Sequence, residues 1–158
     1  RSGSLLYCQS TYQRTKNNKE GAIKGYDPVA YFIANQPIKG LKTISHQWHE
    51  ATWHFASEAN KKMFIDNPEK YAPQYGGYCA YGWAQGYAVK IEPDAWAIEG
   101  GKLYLNYSKG VQKDWDKDRA GYIKKADAVS IRTYCFKHCG VCVCVQGIIN
   151  SYHKKSSF

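Results

Sequence analysis

The sequence predicts a small single α+β domain in which antiparallel hairpins pack against short helices. Residues 44–48 and 51–56 alternate apolar and polar side chains at period two, as half-buried strands do. Residues 96–98 and 103–105 flank a Glu-Gly-Gly-Lys turn and predict a second hairpin. Between the two hairpins, Ser57 precedes a helical stretch that Asn67-Pro68 stops. The 158 residues, 44% of them apolar, are enough to bury one core.

The beginning of the chain is predicted to be a lead-in followed by a turn and a strand. Residues 1–20 are polar and lack a clear period, so we expect a flexible lead-in. Asp27-Pro28 is typical of a turn, and the apolar residues that follow it predict a strand ending at Phe32. Residues 35–40 are typical of a loop.

The first hairpin is predicted to turn at His49 and Glu50. This register places His46 on the aromatic face, where we expect a packed, hydrogen-bonded histidine, and His54 on the opposite face. The aromatic face would consist of Ile44, His46, Trp48, Ala51, Trp53 and Phe55. The opposite face would consist of Ser45, Gln47, Thr52 and His54.

Short helices are predicted to complete the domain, which we expect to span residues 21–128. The helix after Ser57 would bury Ala59, Met63 and Phe64, and Gly76-Gly77 permits a sharp reversal before Cys79. Further helices are expected over residues 80–87, after Ser108, and for a turn or two near residues 122–126, with a turn at Pro93-Asp94. The predicted shared core consists of Trp53, Phe55, Met63, Phe64, Tyr71, Trp96, Ile98, Leu103 and Leu105.

The net charge of +9 is concentrated outside the predicted domain. Residues 1–20 hold four basic and one acidic side chain, and residues 129–158 hold four basic and none acidic. The 108 residues between them carry 14 basic and 12 acidic groups. Because a nucleic-acid reader is expected to have a basic face on its folded part, this distribution disfavours nucleic-acid binding. The sequence contains no run of about 18 apolar residues, so it predicts no membrane-spanning helix. The chain starts at Arg1 without Met, so export after loss of a signal remains open.

Four motifs resemble the YHS domain family, in particular its longer stand-alone members. They are GYDPVAYF at residues 25–32, WHFAS at residues 53–57, NPEKYAPQYGGYCA at residues 67–80, and GKLYLNYS at residues 101–108. The resemblance covers about two thirds of the chain. It implies a small α+β module related to treble-clef metal-binding domains, found beside heavy-metal transporters and oxygenase components, and by itself implies no activity.

The resemblance also bears on metal binding in the core. Short YHS and related treble-clef modules bind metal through cysteines. The resemblance implies that the corresponding positions in this chain are Ala30, Ala56 and Asn60. None of these side chains supplies a thiolate, so we do not expect a tetrahedral thiolate zinc site within residues 21–128.

The remaining core candidates for metal ligands are Cys79, Asp27 and His54. Cys79 follows a glycine turn at a predicted helix start, where a thiolate is favoured, although a small buried residue is the alternative. Asp27 stands at a strand entry and either ligates metal or caps its own turn. His54 is the signature histidine of the family that the sequence resembles.

The tail, residues 129–158, holds four of the six cysteines. Cys135, Cys139, Cys142 and Cys144 are candidate metal ligands, but structural zinc sites usually pair two separated Cys knuckles. Four ligands within ten residues give poor geometry, so the interpretation we favour is an atypical terminus outside the selected domain.

These residues are compatible with three functional hypotheses. The first is a non-enzymatic module that binds or handles a soft metal such as copper through Cys79 and nearby donors. The second is a scaffold or small-molecule-binding domain without metal, in which aromatic side chains line a pocket. The third is a thiol-based redox protein that uses Cys79, although no resolving cysteine or base motif stands beside it in the sequence. The partner is thus expected to be a metal ion or a small molecule, and the sequence leaves the oligomeric state open.

Overall fold

The computed structural model describes residues 17–139, with side chains described for residues 19–129. Within this range three two-stranded antiparallel sheets alternate with helices, and the predicted α+β class is confirmed. The strands are β1 (Asn17–Asn18), β2 (Gly21–Ala22), β3 (Leu41–Trp48), β4 (Ala51–Phe55), β5 (Glu92–Glu99) and β6 (Lys102–Asn106). The helices are α1 (Ala30–Ile33), α2 (Glu58–Asp66), α3 (Pro68–Tyr71), α4 (Ala80–Ala84), α5 (Lys109–Asp116) and α6 (Arg119–Cys139). No helix in the described range is long and apolar enough to cross a membrane.

The first hairpin has the predicted turn. Trp48 pairs with Ala51, and both turn residues adopt left-handed backbone angles, with φ of 50° at His49 and 60° at Glu50. Two-residue hairpin turns usually place glycine or asparagine at such positions. Here the His49 ring stacks on the Trp48 ring with centroids 3.7 Å apart, and this contact supports the turn.

Strand β3 bulges over the far end of this hairpin. Leu41 pairs with Phe55, but the next paired residues are Ser45 and His54. Residues 42–44 are therefore extra in β3 relative to β4. A bulge of this kind bends the strand and redirects its side chains, in this case directly beside His54.

Helix α2 begins and ends where the sequence predicts. The Ser57 hydroxyl accepts a hydrogen bond of 3.1 Å from the Asn60 backbone N–H, as an N-cap does. Phe64 is buried as expected. Ala59, which we expected on the buried side, is exposed, and Asn60 is buried instead. The helix is therefore rotated so that a polar side chain points inward.

The predicted strand after Asp27-Pro28 is wrong, because the chain forms helix α1 there. The Asp27 Oδ1 atom accepts hydrogen bonds from the backbone N–H groups of Val29, at 2.8 Å, and Ala30, at 3.3 Å. These are the donors that a helix start leaves without a backbone partner. An aspartate before proline thus caps a helical turn here and does not open a strand.

The second hairpin is confirmed, and its first strand is longer than predicted. Residues 96–99 of β5 pair with residues 102–105 of β6, and the register shifts between Glu92 and Trp96. Pro93-Asp94, expected to turn the chain, therefore lies inside β5. Irregular pairing next to the proline explains how the strand accommodates a residue without an N–H.

Two hydrophobic clusters lie on opposite sides of β6. Leu103 and Leu105 belong to the first cluster, and Tyr104 belongs to the second. All nine residues of the predicted core are buried in the first cluster or packed against it. The second cluster, which we did not predict, consists of Tyr75, Ala80, Ala97, Tyr104, Trp115 and Ala126.

The final helix extends past the predicted domain boundary. Helix α6 runs without interruption from Arg119 to Cys139, so the boundary predicted at Ala128 falls within it. By contrast, the helix predicted over residues 80–87 ends at Ala84 as α4, and Tyr87 is exposed. The lead-in before residue 17 and the tail after residue 139 lie outside the described residues.

We expect Tyr104 to make the domain less stable at high pH. Burial, followed by the charges of Asp127 and Glu99, raises the pKa of Tyr104 to about 12 from 10.0. Since the folded state holds the proton more tightly, the stabilisation is fully present below the unfolded pKa and is lost as the pH rises through the folded pKa. At pH values between these two pKa values, the free energy of unfolding measured in urea should fall less steeply with pH for Tyr104→Phe than for the wild type. Tyr87→Phe, which changes an exposed ring, should leave the decline unchanged, and equal behaviour of the two variants would contradict this assignment.

Candidate functional site

The Asp27 carboxylate is fully enclosed, with an exposed fraction of 0%. While Oδ1 caps α1, Oδ2 accepts hydrogen bonds from the Ala56 backbone N–H at 2.9 Å and from the Asn60 side-chain amide at 2.6 Å. Two carboxylate oxygens offer about four lone-pair sites, and all four are used by protein donors. The carboxylate thereby joins the turn before α1 to the junction of β4 and α2.

The surroundings of Asp27 coincide with the positions at which the family resemblance implies cysteine ligands. The backbone N–H of Ala30, the backbone N–H of Ala56 and the side chain of Asn60 all donate to this one carboxylate. The structure therefore brings the three positions together around a negatively charged group of the protein itself. A network of charge-assisted hydrogen bonds cross-links the segments here.

Cys79 is the N-cap of α4, at the helix start that the sequence predicts, and its exposed fraction is 1%. Its Sγ atom accepts hydrogen bonds from the backbone N–H of Tyr107 at 3.2 Å and of Gly82 at 3.4 Å. The Asn106 side-chain oxygen lies 3.6 Å from the same sulfur. The thiol thus ties the start of α4 to the end of β6.

The Asn106 amide completes the hydrogen bonds around this sulfur. Its Oδ1 atom accepts a hydrogen bond of 3.1 Å from the Tyr81 backbone N–H, which fixes the oxygen on the side that faces Cys79. An oxygen acceptor beside sulfur favours an S–H group that donates to it. The sulfur thus has three hydrogen-bond partners within the fold, two backbone N–H groups and one amide oxygen.

His54 lies on β4 beside the bulge of β3, on the predicted face opposite Trp53. Its exposed fraction is 7%. Burial lowers the pKa of His54, and the charges of Lys42 and Lys39 lower it further. The ring is therefore neutral near pH 7, with one N–H donor and one acceptor nitrogen.

The three core candidates do not form a common ion site in this structure. Residues 19–129 contain no group of three His, Cys, Asp or Glu side chains placed to hold a metal ion. In the tail, Cys135 and Cys139 fall on α6, where side chains are not described, and Cys142 and Cys144 lie outside the described residues.

Comparison with family models, with curated proteins and with solved structures found no match. The resemblance to YHS domains therefore stays a prediction.

Sequence reasoning missed two buried asparagines that complete these networks. Asn60 carried a usable signal, because it occupies one of the positions where the resemblance implies a cysteine and follows the Ser57 cap by three residues. Asn106 follows an apolar strand and carried no such signal. Its partners, Tyr81 and Cys79, lie 25 and 27 residues away along the chain, beyond the reach of local patterns.

Proposed function

We propose that the domain is a non-enzymatic, metal-independent binding module. The observation that carries this proposal is the closed hydrogen-bond network around Asp27, which fills the place where the resemblance implies a metal cross-link. In this proposal Asp27 and Cys79 stabilise the fold, and neither is offered to a ligand. His54 is the remaining core candidate for contact with a ligand.

The alternatives of a copper-binding module and a thiol redox protein both need Cys79 to leave its present surroundings. Binding copper would remove the S–H proton and bring a cation beside the Gly82 and Tyr107 N–H groups, which now donate to sulfur. A redox role would require access to the sulfur atom of a residue that is 1% exposed. Both therefore carry a structural cost that a binding role at His54 avoids.

Copper(I) titration of the full chain tests this proposal. The background variant carries serine in place of every cysteine except the one under test, that is, in place of Cys8, Cys135, Cys139, Cys142 and Cys144. We expect Cys79→Ser in this background to leave copper affinity unchanged in competition with a colorimetric chelator, because the core thiol is not a ligand. Loss of one tightly held copper ion on this substitution would overturn the proposal and restore the soft-metal hypothesis.

A matched control guards against unfolding. Tyr87→Ser truncates an exposed side chain near α4, and its unfolding midpoint and copper affinity should equal those of the background variant. Circular dichroism of the Cys79→Ser chain establishes that any change in copper affinity comes from a folded protein.

A further inference from the structure

Tyr81 and Tyr122 form a partly exposed pair of phenol rings beside the second cluster. Tyr81 lies on α4 and Tyr122 lies on α6. Their ring centroids are 5.0 Å apart, with an angle of 50° between the ring planes. A side-chain hydrogen bond also joins the two residues. Because the hydroxyl is the only polar group of a tyrosine side chain, this bond lies between the two phenolic oxygens.

Both members of the pair are held in place by packed helices. The Tyr81 backbone N–H donates to the enclosed Asn106 side-chain oxygen at 3.1 Å. The Tyr122 backbone N–H donates to the Asp118 carbonyl at 3.0 Å, at the start of α6. The Lys125 ammonium group lies over the Tyr122 ring, 5.5 Å from its centroid. Since both rings also pack against the second cluster, the two phenols are presented to each other by rigid elements.

The other pair of tyrosine rings in contact within residues 19–129 is closed to solvent. Tyr75 and Tyr104 have ring centroids 5.9 Å apart, but their exposed fractions are only 5% and 3%. Tyr81 and Tyr122 are both half-buried. Of these two pairs, the one that a reagent in solution can reach is therefore Tyr81 and Tyr122.

We propose that Tyr81 and Tyr122 are an oxidative modification site, at which a haem peroxidase and hydrogen peroxide join the two rings as dityrosine. Each phenol loses one electron and one proton and becomes a tyrosyl radical. The radicals couple through a carbon–carbon bond between ring carbons adjacent to the hydroxyl-bearing carbons, and a hydrogen on each of these carbons then moves to the oxygen. Hydrogen peroxide accepts the two electrons and two protons and yields two water molecules. This inference is independent of the proposed binding function.

The geometry of the pair favours coupling within one molecule. The coupling carbons flank the hydroxyl-bearing carbons, so a hydrogen bond between the hydroxyl groups also brings these carbons near each other. Two reactants held in this way react as if at a concentration far above that of a dilute protein solution. The product would tie α4 covalently to α6.

The test treats the full chain, in dilute solution, with a haem peroxidase and hydrogen peroxide, and then isolates the monomer by gel filtration. We expect dityrosine fluorescence and the loss of two hydrogen atoms from the intact mass. Trypsin should release residues 71–90 joined to residues 120–124, because Lys or Arg bounds both segments. Tyr122 is the one tyrosine of the shorter segment. Fragmentation of the joined peptide should place the other end of the bond at Tyr81.

Two variants of the longer segment separate this pair from its neighbours. Tyr81→Phe should lower the yield of the joined peptide by about tenfold or more, because the other tyrosines of residues 71–90 are not held against Tyr122. Tyr87→Phe is the matched control, since it makes the same change in the same peptide at a ring that is 68% exposed. Its yield should stay within about twofold of the wild type. Lack of the joined peptide in the wild-type monomer, a bond placed at another tyrosine, or equal yields from the two variants would overturn the inference.

Discussion

Replacing Asp27 by alanine is expected to lower the free energy of unfolding by about 3 kcal/mol or more, because a buried donor that loses its acceptor costs about 1–3 kcal/mol. The substitution deprives the Ala56 N–H and the Asn60 amide of their acceptor and removes the cap of α1. Chemical denaturation measures the loss directly.

Two further variants make this prediction sharper. Asp27→Asn keeps the volume but turns one oxygen into a donor, which would meet either the donors of α1 or those of Ala56 and Asn60. We therefore expect it to be destabilising as well. Asp94→Asn, on an exposed carboxylate 3.9 Å from Lys109, should stay within about 0.5 kcal/mol of the wild type. A loss below about 1 kcal/mol for Asp27→Ala would show that water satisfies these donors.

Phe64→Ala is expected to cost about 3–5 kcal/mol of unfolding free energy, as other truncations of buried aromatic residues do. The Phe64 ring is fully buried, and its centroid lies 5.1 Å from that of Trp53 and 5.2 Å from that of Phe55. Removing it opens a cavity between α2 and the first hairpin, which surrounding rings cannot fill without leaving their own contacts. Denaturant unfolding with tryptophan fluorescence gives the measurement.

The neighbouring residue provides the control for Phe64. Ile65 follows Phe64 on α2 and is 46% exposed, so Ile65→Ala removes apolar atoms that already contact water. Its cost should be well below that of Phe64→Ala. Because alanine favours a helix at both positions, similar costs for the two variants would contradict the assignment of Phe64 to the core face of α2.

The parts of the fold that were predictable are those that short-range chemistry specifies. The Ser57 cap, the stop at Asn67-Pro68 and the pairing of β3 with β4 all depend on residues within a few positions of each other. Alternation of apolar residues placed Trp53 and Phe55 on the correct face, because a strand has only two faces.

The parts that were not predictable depend on partners that are distant in sequence. The role of Asp27 as an enclosed cross-link depends on donors from Ala56 and Asn60, which lie 29 and 33 residues away. The same holds for Cys79, whose sulfur forms hydrogen bonds with Asn106 and Tyr107. Local patterns identified the residue types at the candidate site, but only the tertiary contacts distinguish a ligand from a structural group.

The position of β6 between the two hydrophobic clusters has a consequence for how the domain unfolds. Leu103 and Leu105 on one side and Tyr104 on the other are all buried, so neither cluster can open without exposing one face of the same strand. Because both clusters pack against β6, their stabilities are coupled. Unfolding of one cluster alone is therefore disfavoured. The domain should therefore melt as one cooperative unit, with backbone amides of β6 among the slowest to exchange with deuterated solvent.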